Sequence, residues 1–216
     1  MTNATYGKLT AGLIAAWFTF SLSASALHLF RTDTGRPPLP LLLAVVIPIF
    51  LFFLWYRSSK SFRDFVLSLS PQTLTIIQAW RIEGFVFLAL YTYGILPGVF
   101  ALPAGWGDIA IGVSAIIVGM KLANPSHRNS FILWQWLGIA DLVAAVGLGG
   151  MAQFIGPQGL TNPITTAPNL VLPLSLIPTF GVPLFLILHI ICIAQAKRWP
   201  KQTYSGVGER AGSFAS

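Results

Sequence analysis

The chain has 216 residues, 55% of them hydrophobic and only 9% charged, with a mean hydropathy of +0.73. A soluble domain carries about 25% charged residues, so soluble, disordered and coiled-coil classes are excluded. The net charge of +7 does not indicate nucleic acid, because the Lys and Arg residues form no patch and sit in short segments between apolar runs, the pattern of membrane orientation.

A membrane-spanning helix needs about 20 mostly apolar residues. Six runs qualify, at about 9–30, 38–56, 72–94, 106–122, 131–151 and 170–196. The expected fold is therefore an all-α integral membrane protein, one bundle of six transmembrane helices over 1–196, with a disordered cytoplasmic tail at 197–216. Near the end of the first run, Ala24-Ser25-Ala26 has the small-residue pattern of a signal-peptide cleavage site. The single Lys before the run and its continuation to Phe30 favour a retained helix. The segment from Ser59 to Ser70 alternates charge with Phe, Val and Leu, which fits either a short interfacial amphipathic helix or a plain loop.

Between the third and fourth runs, residues 94–107 are apolar but interrupted by Gly and Pro. They read as a re-entrant or interfacial segment, or as an outer loop. Gly112, Ala115 and Gly119 on the fourth run, and Gly138, Ala145 and Gly149 on the fifth, form small-residue stripes. Such stripes let helices approach closely, so these two runs are expected to be neighbours. The sixth run carries Pro173, Pro178 and Pro183, each able to kink a helix.

Orientation follows from the basic residues. With the N-terminus inside, ten fall on the cytoplasmic side: Lys8, Arg57, Lys60, Arg63, Lys121, Arg128, Lys197, Arg198, Lys201 and Arg210. Only Arg31 and Arg36 fall outside. Both termini are expected in the cytoplasm, with a bacterial inner membrane as the expected location.

Ionisable residues at membrane depth are costly and mark functional sites by default. At 1.5 Å per residue, Arg81 lies roughly 12 Å deep, Glu83 and Asp141 roughly 15 Å, and His189 roughly 8 Å from the cytoplasmic edge. These form one layer. Asp141 is the expected partner of Arg81, and Gln78, one turn back, shares its side. In an α-helix Arg81 and Glu83 point about 200° apart, so Glu83 is left to carry a proton, to face water or to face His189. Asp108, at the expected start of the fourth run, reads as a helix cap.

The leading expectation is binding or translocation of a small solute or proton at Arg81, Glu83, Asp141, His189 and Gln78. One alternative is a non-catalytic subunit of a membrane complex. Another is a redox protein holding haem or a quinone, although His28 and His189 fall near opposite faces and do not suit one haem. A lipid-modifying enzyme ranks last, as no nucleophile–base or metal constellation occurs. The expected partners are the lipid bilayer and a second copy or a membrane-complex subunit, and the sequence names no cofactor.

Overall fold

A computed structural model of the chain describes residues 3–33, 36–154 and 164–200. The expected disordered tail lies, from residue 201 on, outside the described residues. Among those described there are helices and no strands, and six helices are long and apolar enough to cross a membrane.

The first two long helices are α1 (Asn3–Ala26) and α2 (Leu39–Ser58). Ala24 and Ser25, in the last turn of α1, are buried. A short helix, α3 (Lys60–Ser68), follows α2. Ser59 caps it, accepting a hydrogen bond from the Phe62 backbone N–H, and it buries Phe62, Phe65 and Val66. The segment is thus an amphipathic helix rather than a loop.

The third long helix is composite. It comprises α4 (Pro71–Ile76), a 3-10 stretch (Ile77–Gly84) and α5 (Phe85–Thr92). Ser70 caps its start, and Pro71 occupies a first-turn position where a missing N–H costs nothing.

The fourth, α6 (Gly98–Lys121), begins eight residues before the expected 106. Residues 98–107 are its opening turns and not a separate re-entrant or loop segment. Pro103 sits inside this helix. It removes one backbone hydrogen bond, and Ala101 and Ala104 on either side of it are buried. The fifth, α7 (Arg128–Phe154), runs back antiparallel to α6.

The sixth run is not helical throughout. A 3-10 turn (Ala167–Leu170) leads through irregular backbone to a π-helical turn (Ile177–Gly181), and only then to α8 (Val182–Ala196). Pro173 precedes the helix, while Pro178 and Pro183 fall in its opening turns, where prolines disturb least.

The small-residue stripe of α6 faces the composite third helix, not α7 as expected. A Cβ on Gly112 would come 2.6 Å from the backbone nitrogen of Ile82, and one on Gly119 would come 2.7 Å from the Ile76 side chain. At Gly112 the two backbones approach so closely that there is room for glycine only. Helix α7 packs on another side of α6, and α8 closes the bundle against α7, α4 and α2. At the end of α8, the Gln195 amide donates to the Leu69 carbonyl (2.8 Å) and to Val66 and Leu67, satisfying acceptors that the end of α3 leaves open.

Candidate functional site

Arg81 is at the centre of the bundle and 1% exposed. Its Nε donates to Asp108 Oδ1 at 2.7 Å. One terminal nitrogen donates to Asp141 Oδ2. The other faces the Gly138 carbonyl at 3.4 Å and His189 Nε2 at 3.3 Å. The expected Arg81–Asp141 pair is thus formed, on a three-helix junction of the 3-10 stretch, α6 and α7. Gly107 makes room for it, since a Cβ there would run into the Asp141 carboxylate.

Asp108 does not cap a helix. It lies ten residues inside α6, roughly 15 Å along the axis, and is the second carboxylate on the guanidinium. The late start assigned to this helix hid it.

The hydrogen bonds beyond Arg81 have a direction that can be derived. The Thr75 hydroxyl donates to the Pro71 carbonyl at 2.8 Å, so it accepts from Gln135 Nε2 at 3.2 Å. That leaves Gln135 Oε1 as acceptor toward His189 Nδ1. His189 therefore carries its proton on Nδ1 and offers the Nε2 lone pair to Arg81. A polarised chain runs Arg81, His189, Gln135, Thr75, Pro71 carbonyl. Both ring nitrogens of His189 are engaged within it.

Glu83 and Gln78 stand apart from this set, and the 3-10 geometry explains why. At three residues per turn, positions i and i+3 eclipse. Glu83 therefore lines up with Trp80, whose indole Nε1 donates to it at 2.8 Å, and not with His189. Gln78 shares the buried face with Arg81, but its Nε2 donates to the Phe185 carbonyl at 3.2 Å and not to the layer. His28 is in the turn after α1, exposed and outside the layer. Among the described residues, no three His, Cys, Asp or Glu side chains are grouped to hold a metal ion.

A cavity of about 60 Å³ adjoins the layer. Asp108 lines it, and Phe87, Phe100, Leu142 and Val182 form apolar walls. Gln153 and Asn169 also line it. Gln153 is 1% exposed, and among the described residues neither end of its amide has a hydrogen-bond partner, nor does the Asn169 carbonyl oxygen. Along α7 the lining runs from Leu142 to Gln153, roughly 16 Å. The cavity is therefore narrow and long, with polar groups toward its ends and apolar walls between.

The family described as Domain of unknown function (DUF8737) matches residues 37–196. The chain belongs to that family. The matched segment holds α2 through α8 and every residue of the polar layer, while α1 precedes it. No curated protein and no solved structure matches the chain.

Proposed function

We propose that the chain is a small membrane protein that binds a proton or small solute at the Arg81 layer and passes it across the bilayer. The observation that carries this reading is the cavity leading from Gln153, whose amide has no partner among the described residues, to Asp108, one of two carboxylates on a single guanidinium. Arginine keeps its charge in proteins. Two carboxylates and one guanidinium sum to a charge of −1, which inside a bundle calls for one more proton or cation. By the space one water requires, the cavity has room for about four waters, which suits a proton or a very small polar solute. The polarised chain through His189, Gln135 and Thr75 continues from the layer toward the start of α4. On the ten-to-two count of basic residues that end is cytoplasmic, and the Gln153 end is external.

The test is flux into liposomes holding the purified chain and a pH-sensitive dye, driven by a potassium diffusion potential. Wild type should acidify the lumen faster than empty liposomes. Asp108→Asn and Gln153→Leu should return the rate to background while the protein stays folded. Unchanged flux in both variants would sink the reading. For topology, a reporter fused after Ser216 should be cytoplasmic, and an external result would invert the two entrances.

A further inference from the structure

The face of the third helix opposite the Arg81 layer borders a second, larger cleft of about 720 Å³. It lies between two irregular backbone segments, the 3-10 stretch (Ile77–Gly84) and the π-helical turn (Ile177–Gly181). Phe18 from α1 and Phe180, Leu184 and Phe185 from the last helix form its walls. Glu83 is the one ionisable side chain in the lining. Among the described residues it forms no ion pair, and its hydrogen-bond donor is the Trp80 indole. Trp80 itself is 71% exposed at the rim.

Each feature points toward a ligand. The volume is that of a site for a drug-sized molecule, and such sites are apolar with a few polar groups that fix orientation. Short 3-10 and π segments within longer helices recur at functional positions. Glu83 lies roughly 20 Å along the helix from Pro71, where the membrane reading puts it deep in hydrocarbon. An ionised carboxylate at that depth is paired with a cation or faces water, and among the described residues no cation faces this one. A lipophilic anion is repelled by the same carboxylate. A neutral apolar molecule leaves an ionised Glu83 uncompensated.

We infer that the cleft is a binding site for a lipophilic organic cation. Glu83 supplies the countercharge. The Trp80 indole and the phenylalanine walls supply apolar surface and ring faces that attract cations. This site is independent of the proposed passage at Arg81, since the two occupy different faces of one helix and share none of their polar side chains.

The test uses two probes of one shape and opposite charge, tetraphenylphosphonium and tetraphenylborate. Equilibrium dialysis is run on the full chain in an uncharged detergent. Wild type should bind the phosphonium saturably, at least tenfold tighter than the borate. Glu83→Gln should lose at least tenfold in phosphonium affinity with an unchanged melting temperature. Ala79→Trp, which fills the cleft without altering Glu83, should abolish saturable binding and covers the case in which Glu83→Gln fails to fold. Asp64→Asn, on the exposed side of α3, should bind as wild type does. Equal binding of the two probes, or only non-saturable uptake, overturns the inference. So does wild-type affinity in folded Glu83→Gln or in Ala79→Trp.

Discussion

Helices α1 and α2 differ sharply from α6 and α8 in what holds them. The most apolar stretches of α1 and α2 are only 17% and 6% buried, against 44% and 56% for those of α6 and the last helix. Yet α2 is the more apolar pair member and would be a core helix in a soluble protein. In the membrane setting proposed above, lipid removes that logic, because an apolar side chain gains little by leaving hydrocarbon for protein. The inner helices are instead joined by charge-assisted hydrogen bonds and glycine contacts. The outer pair is held largely by rings: Tyr6 of α1 stacks on Phe65 (5.8 Å between centroids), Trp55 of α2 stacks on Phe62 (3.8 Å), and Trp17 and Phe18 further along α1 meet Phe180 (4.9 and 5.1 Å). Small α3 thereby ties both outer helices to the bundle.

This contrast can be broken in order of decreasing effect. Arg81→Leu leaves the Asp108 and Asp141 carboxylates without their buried cation and should cost about 3–5 kcal/mol. Unfolding in detergent measures it, and a double-mutant cycle of Arg81 with Asp141 should return a coupling above about 1 kcal/mol. A coupling near zero would remove charge pairing as what distinguishes the inner helices. Gly112→Val puts carbon atoms against the Ile82 backbone and should cost about 1–3 kcal/mol by overpacking. A neutral result would mean that α6 and the third helix can separate freely.

Tyr6→Ala removes ring pairs with Trp55, Phe62 and Phe65, at about 0.5–1.5 kcal/mol for each, and should loosen α1 selectively. Hydrogen exchange along α1 would show it, with the Arg81 layer unaffected. Smallest of all, Phe50→Ala on the exposed face of α2 should stay within about 0.5 kcal/mol. A large loss there would reveal a partner protein on that face and weaken the argument from lipid.

The six long helices were legible because a run of about 20 apolar residues has few other uses. The Arg81–Asp141 contact was legible too, since opposite charges at matching depth have strong reason to meet. Asp108 was missed through a boundary error: Gly and Pro between 94 and 107 suggested broken backbone, which displaced the helix start and turned a central carboxylate into a surface cap. Glu83 was misdirected because α-helical angles were applied to a stretch that is 3-10, and nothing in IQAWRIEG announces that geometry. Gln135 and Gln153 carry no charge, so a search for ionisable groups passes over them. The available signal was simple: a neutral amide within an apolar run is itself costly unless bonded.

The 3-10 stretch has a mechanical meaning beyond the residues it presents. Each of its eight residues advances about 0.5 Å farther and turns about 20° more than in an α-helix. Rewinding it as α would shorten the third helix by about 4 Å and rotate α5 against α4 by about 160°. The stretch therefore acts as a phase shifter set into a rod. The faces that α4 and α5 turn toward α6 are matched only at this winding, so any event that tightened or relaxed it would reach both ends of the helix as a twist.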